Sequence, residues 1–354
     1  MEISYNLKKT ENIKLDETSL GFGKVFTDNM FIMDYSADKG WHDARIVPFG
    51  RIDIHPASTV LHYGSEIFEG LKAYRRKDGG IQLFRPLENI RRMNRSAERM
   101  CLPQIPEDIA LEVLTKFIEV EKDWVPYSNG TSLYIRPFMF GNDETLGVHA
   151  VKNAKFVIIT SPVGSYYKEG LNPVKIMIES EDVRAVRGGT GEAKCGGNYA
   201  ASNRAGERAE KKGYSQVLWL DGVYRKYIEE VGAMNVMFKI NGEIITPKLS
   251  GSILPGITRK SIIELLKSEG YNVSERLLSV DELAEALENG TLEEAWGCGT
   301  AAVVSPIGEL CYQDKKYIIN NGEIGKTTQH LYDTLTGIQW GNVEDKFGWI
   351  YKIK

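Results

Sequence analysis

The stretch Gly188-Gly189-Thr190-Gly191-Glu192-Ala193-Lys194-Cys195-Gly196-Gly197-Asn198-Tyr199 sets one lysine among glycines and small residues. Such a run lets other backbone and a flat ligand approach the amine closely. A lysine amine is nucleophilic only when unprotonated, and at its ordinary pKa of about 10.4 almost none is free at neutral pH. Burial lowers that pKa, and condensation with an aldehyde removes the ammonium altogether, because the product is a covalent Schiff base. The residues point to a lysine that carries pyridoxal phosphate. A Walker loop needs glycine before its lysine and a hydroxyl after it, whereas this chain has Ala193 and Cys195. A solvated lysine on a surface loop remains open on this segment alone.

The rest of the chain narrows the choice. Its 354 residues, 42% hydrophobic, are enough for two domains with proper cores. The net charge of −4 is spread without blocks of one sign, which excludes a nucleic-acid face and a polybasic membrane anchor. The expected partners are small molecules and a second copy. No signal core opens the chain and no stretch reaches the ~20 apolar residues needed to span a bilayer, so a cytoplasmic protein is expected. Cys101, Cys195, Cys298 and Cys311 are too sparse for a disulfide framework, and the five histidines form no metal-gripping pair, so no metal is expected. The signatures Gly-x-Ser-x-Gly and Gly-x-Gly-x-x-Gly are absent.

Apolar periodicity lays out an α+β chain. Strands are expected at Val25–Tyr35, Phe156–Val163, Val174–Ile178, Gln216–Leu220, Val231–Ile240 and Ala295–Val304. Helices are expected at Glu88–Leu102, Glu107–Val125, Asn198–Lys212, Thr258–Ser268 and Val280–Leu287, the last opened by a Ser279/Glu282 capping box. A terminal helix, Ile324–Ile338, is expected to close the chain. Turn formers after Gly164 divide it into a small N-terminal α+β domain (1–165), a loop (166–179) and a large C-terminal domain carrying the lysine (180–354).

A pyridoxal site needs a phosphate cup, an acid for the pyridine nitrogen and a pocket. The helix start at Leu254-Pro255-Gly256-Ile257-Thr258 offers free amides, and the helix 88–102 offers Arg91, Arg92, Arg95 and Arg99, among which spacing does not choose. Glu229 and Glu230 adjoin in a strand-like run, so alternation sends them to opposite faces and only one can meet the ring. By composition alone a solvated pair of acids is the commoner outcome. The turn Gly297-Cys298-Gly299-Thr300-Ala301-Ala302 can expose backbone amides to a carboxylate, through glycines that permit close approach and unusual dihedrals. Leu61–Gly70 and Ser132–Pro137 supply aromatic residues for a box.

These segments, with Phe26-Thr27-Asp28-Asn29-Met30, Phe68-Glu69-Gly70-Leu71-Lys72-Ala73-Tyr74, Leu83-Phe84-Arg85-Pro86 and Glu230-Val231-Gly232 in order along nearly the whole chain, resemble the branched-chain amino acid aminotransferases. The resemblance implies the two-domain fold type IV of pyridoxal phosphate enzymes, like that of D-amino acid aminotransferase. It implies Lys194 as the Schiff-base lysine and proton shuttle, Glu230 at the pyridine nitrogen, Tyr199 at O3′, and Arg92 with the amides of Ile257, Thr258 and Thr300 at the phosphate. Thr300 and Ala301 would hold the substrate carboxylate; Phe22, Phe68, Tyr134 and Tyr166 would form the apolar box. Tyr63 would reach in from the partner of a homodimer, and Arg136 would accept the second carboxylate of glutamate. The implied reaction moves the amino group of leucine, isoleucine or valine to 2-oxoglutarate.

Two departures stand out. Where some relatives carry a Cys-x-x-Cys redox pair, this chain has Ala302 and Ser305, so no thiol switch is expected; the threonine usual after Glu-Val-Gly is Ala233, which enlarges the pocket slightly. D-amino acid aminotransferase and aminodeoxychorismate lyase share the lysine and glutamate but lack the Tyr63–Tyr74 signature. A non-catalytic phosphate-ligand-binding protein is the alternative from another class.

Overall fold

The computed structural model describes residues 1–11, 13, 15–164 and 171–353. The chain forms two units: Met1–Lys168, Ala193–Gly196 and Gly337–Lys354 make the first, Glu169–Glu192 and Gly197–Thr336 the second. This differs from a C-terminal domain running unbroken through 180–354. Ala193 and Cys195 are buried in the first unit's core. The expected last helix is present as Lys326–Gln339, and it is followed by a strand, Ile350–Ile353, that pairs antiparallel with Ile81–Phe84 of the first unit.

The first unit is built on a nine-stranded sheet. Its centre is the hairpin Ser132–Gly141 with Asn153–Val163, in register from Ser132↔Val163 to Gly141↔Ala154. Asn29–Ser36 flanks the second hairpin strand, while Leu71–Arg75 and the short Glu66–Phe68 pair with the first. Helices Pro86–Arg99 and Glu107–Val120 supply apolar stripes. In the second of these Ala110, Val113, Leu114, Phe117 and Ile118 are buried, a three-and-four spacing, and Glu107 and Asp108 sit in its first turn where the dipole favours acids. These side chains share one core with Ile67, Leu71, Ala73, Leu133, Ile135 and Met139. Strand alternation leaves the even-numbered residues of Ser132–Gly141 to the opposite face.

The second unit is also a nine-stranded sheet. Six of its strands run in the order Ile228–Val231, Gln216–Leu220, Val174–Ile178, Val303–Tyr312, Leu292–Gly299 and Met234–Ile240, and the first pairs directly with the last, so they close into a barrel. Helix Ile257–Ser268 buries Ile262, Ile263, Leu265 and Leu266. Helix Val280–Glu288 begins at Ser279, whose hydroxyl accepts the Glu282 amide at 3.0 Å. Among the described residues the expected reciprocal half of the box is not made, and the Glu282 carboxylate takes Arg276 at 2.6 Å.

Three expected elements divide. Val231–Ile240 is a hairpin: Ile228–Val231, a turn at Gly232 with φ of 55°, and Met234–Ile240. Ala295–Val304 is likewise two strands turning at 300–302. Asn198–Lys212 is two helices, Gly196–Ala200 and Asn203–Lys211. In the strand pairs, apolar residues continue on both sides of the turn, so hydropathy alone does not mark the reversal.

Candidate active site

On the first unit, the sheet face turned away from the helices carries most of the expected pocket. Tyr134 and Arg136 lie there, and the register places Phe68 opposite Phe138 and Glu66 opposite Phe140 on the same face. The Arg136 guanidinium is 4.7 Å from the centre of the Phe68 ring and 5.3 Å from that of Tyr134. Its Nη2 donates to Tyr134 Oη at 3.0 Å, while its buried Nε makes no hydrogen bond among the described residues. Phe22, half exposed, meets the Tyr134 ring edge-on at 4.8 Å. Gly70 is required by this wall, because a Cβ there would lie 2.1 Å from Tyr134 Oη. The result is one cation set among aromatic faces, a surface that accepts both hydrocarbon and anion.

The backbone of Lys194 is tied to this wall. Its carbonyl accepts the Phe68 amide at 2.9 Å and its amide donates to Ser96 Oγ at 2.9 Å. Its Nζ lies 4.5 Å from the centre of the Phe68 ring. Glu69, fully buried, grips Arg92 through Nε and Nη2 at 2.8 Å each. Burial by itself would raise the Glu69 carboxyl, but Arg92, Lys194 and Asn89 together hold it below the usual range. Of the four arginines between which spacing did not choose, Arg92 is buried, whereas Arg91, Arg95 and Arg99 are exposed. Tyr63 is exposed and its hydroxyl donates to the Leu146 carbonyl. Tyr166 lies outside the described residues.

On the second unit, both acids of the Glu229-Glu230 pair are buried, contrary to the solvated pair that composition favours. They part as alternation requires. Glu229 accepts the Ser252 hydroxyl, and burial is the largest influence raising its carboxyl. Glu230 faces Arg184, Nε to Oε2 at 2.5 Å, and its Oε1 accepts from Asn235 Nδ2 at 3.2 Å. Arg184 also donates to the carbonyls of Gly191, in the lysine loop, and Ser252. Arg184, Glu230, Tyr199, Asn198 and Ala233 line one small pocket.

Asn235 extends this network to the helix start. Its Nδ2 also donates to the Leu254 carbonyl at 2.9 Å, and a Cβ on Gly256 would fall 1.9 Å from its Oδ1. Gly256 is the N-cap, so Ile257 and Thr258 begin the helix, where amides have no intrahelical carbonyl to meet. The turn at Thr300–Ala301 departs from the reading of its glycines. Gly297 and Gly299 lie in an ordinary strand and are needed because Met234, with Val231 at Gly297, crowds their Cβ positions. The unusual dihedral belongs to Val303, with φ of 63°, a left-handed conformation that a β-branched side chain adopts only under strain. Cys298 is buried beside this turn. Glu66, Glu69 and Arg184 are each defined by a partner distant along the chain, Gly196, Arg92 and Glu230, while Asn235 faces Glu230 across a tight hairpin.

The sequence profile described as amino-transferase class IV matches residues 66–310, which spans Phe68, Tyr134 and Arg136, the lysine loop, the acid pair and the turn at Thr300–Ala301. The chain belongs to the class IV aminotransferases. Among the class IV relatives it resembles, branched-chain-amino-acid aminotransferase 2 of Bacillus subtilis is 57% identical over 99% of this chain and 97% of its own length. Branched-chain-amino-acid transaminase 1 of the same organism is 53% identical over 96% of each chain. The class IV fold is matched by the crystal structure of the Escherichia coli branched-chain amino acid aminotransferase, with a TM-score of 0.77 at 28% identity, over 93% of this chain and 100% of that one. The branched-chain amino acid aminotransferase of T.th., crystallised with pyridoxamine 5′-phosphate, aligns with a TM-score of 0.78 at 25% identity, over 94% and 100%. Among the described residues, no helix of this class IV chain is long and apolar enough to cross a membrane.

Proposed function

We propose that this chain is a cytoplasmic, homodimeric branched-chain amino acid aminotransferase that uses pyridoxal 5′-phosphate. It transfers the amino group of L-leucine, L-isoleucine or L-valine to 2-oxoglutarate, giving the branched 2-oxo acid and L-glutamate. The observation that carries the reading is the aromatic wall with Arg136 embedded in it. One pocket has to take an alkyl chain in one half-reaction and a carboxylate in the other, and a cation resting on Phe68 and Tyr134 serves both.

The residues fit the cofactor. A buried carboxylate backed by Arg184 suits a protonated pyridine nitrogen, and the helix start at Ile257–Thr258 suits a phosphate. When bound, the cofactor supplies an aldehyde that takes up the amino group and a ring that draws electrons from the substrate α-carbon. Lys194 would hold the cofactor and, once released by substrate, move the α-proton as general base. Glu230 would keep the pyridine nitrogen protonated, and Tyr199 would bond O3′. Arg92 and the amides of Ile257, Thr258 and Thr300 would bind the phosphate. The backbone of Thr300 and Ala301 would orient the substrate carboxylate between walls formed by Phe22, Phe68, Tyr134, Tyr166 and the partner's Tyr63, with Arg136 for the second carboxylate.

The test is the visible absorption of the purified protein before and after L-leucine without a keto acid. Loss of the yellow colour with release of the leucine-derived keto acid supports the reading. A response to a D-amino acid in its place moves the protein to the fold's other branch, and a colourless protein that pyridoxal phosphate cannot reconstitute removes it from catalysis. Borohydride should fix the cofactor on the wild type and not on Lys194→Ala.

A further inference from the structure

The face that holds Arg136 also holds a carboxylate to which no role has been given. Glu66 is two residues before Phe68 in the strand Glu66–Phe68, so both side chains rise from the same face as Tyr134 and Arg136. Its Oε1 accepts the Gly196 amide, two residues beyond Lys194. Gly196 is shaped for this, because a Cβ there would lie 2.4 Å from that oxygen. Glu66 and Arg136 share this face without forming a direct ion pair among the described residues. Burial pushes that carboxyl above its usual range, and the Gly196 amide and Arg136 oppose the rise. Arg136 meanwhile keeps its buried Nε without a hydrogen-bond partner among the described residues. A cation in an apolar wall is costly without a counter-charge, and a permanent close ion pair would shut out a substrate anion.

We propose that Glu66 is a specificity-determining residue, the built-in counter-charge to Arg136 that lets one pocket alternate between an alkyl side chain and a distal carboxylate. With leucine bound, Glu66 supplies the negative charge that Arg136 faces. With glutamate or 2-oxoglutarate bound, the substrate carboxylate takes over Arg136, and the anchored Glu66 keeps its distance and weakens that binding enough for product to leave. The proposal rests on the transaminase reading of the same face.

Glu66→Gln tests it, since the amide oxygen still accepts from Gly196 while the charge is gone. Dissociation constants of the holoenzyme for L-leucine and L-glutamate are read from half-reaction absorbance titrations, with steady-state KM and kcat beside them. Glutamate should bind more tightly and leucine more weakly, changing their ratio by about tenfold, mostly in KM. In an Arg136→Gln background the second substitution should leave that ratio unmoved, because the effect runs through Arg136. A ratio unchanged in Glu66→Gln, or both substrates weakened alike, overturns the proposal. If the wild type ignores L-leucine altogether, the transaminase reading has failed instead.

Discussion

A single buried arginine shows how much of the site hangs on residue-level charge. Arg184 pairs with Glu230 and at the same time ties down Gly191 and Ser252, so it fixes the acid and the lysine loop together. Removing one member of a buried ion pair leaves the other charged and unsolvated, which typically costs about 3–5 kcal/mol. Arg184→Met should therefore lower stability in urea by an amount of that order and loosen pyridoxal phosphate, read as the concentration needed to restore the visible band. Equal stability and equal cofactor affinity would show that Arg184 is dispensable. The cysteines give a second expectation. Burial pushes the Cys298 thiol up to about 12, and Cys195 and Cys311 are buried as well, whereas Cys101 is exposed. Iodoacetamide on the native protein should label Cys101 alone, detected by peptide mass, and mild oxidant should leave transamination unchanged. At this scale the sequence drew attention to Lys194 through its glycines, and alternation sent Glu229 and Glu230 to opposite faces, where Ser252 and Arg184 meet them. It could not show Arg184, because an arginine in a loop acquires meaning only when folding brings Glu230 to it, nor Asn235, because the hairpin that sets it opposite Glu230 was read as one strand.

At the level of elements, two glycines of similar appearance should respond oppositely to alanine. Gly206 sits inside helix Asn203–Lys211 with open space at its Cβ position and no positive φ, so Gly206→Ala should stabilise the protein by about 0.4–1 kcal/mol by restricting the unfolded chain. Gly256 precedes helix Ile257–Ser268 with Asn235 Oδ1 1.9 Å from the same position. Gly256→Ala has to displace Asn235, which holds both Glu230 and the Leu254 carbonyl, so cofactor affinity should fall by more than tenfold while far-UV helicity is retained. Reconstitution titrations and urea melts on both variants separate the two effects. The elements most legible in the sequence were those bounded by turn formers: Val174–Ile178 and Gln216–Leu220 stand where apolar alternation placed them. The reversal at Gly232 was hidden inside an apolar run, whereas the turn at 300–302 falls within the Gly297–Ala302 turn that the glycines marked. The last strand was hidden because it is short and takes its place from Ile81–Phe84, remote in sequence.

For the molecule as a whole, an α+β chain of two units was readable from length and pattern, while the return of the lysine segment to the first unit was not, since burial of Ala193 and Cys195 is a tertiary fact. The surface of that unit carries the remaining argument. Leu61 is 57% exposed, Tyr63 43%, Leu146 66% and Val148 79%, and Tyr63 and Leu146 are bonded to each other. Large apolar side chains grouped in this way are a liability in a monomer and an asset at an interface between copies. Sedimentation velocity should find a dimer. A charge at the most exposed of these positions, in the double variant Leu146→Asp/Val148→Asp, should shift the protein to monomer at micromolar concentration, because an aspartate buried without a partner opposes association by several kcal/mol. If Tyr63 completes the neighbour's pocket, that monomer keeps its cofactor colour but loses most of its transamination of L-leucine. A variant that sediments as a monomer and turns over at the wild-type rate would mean that each chain builds its pocket alone, and a variant that stays dimeric would place the interface on another surface.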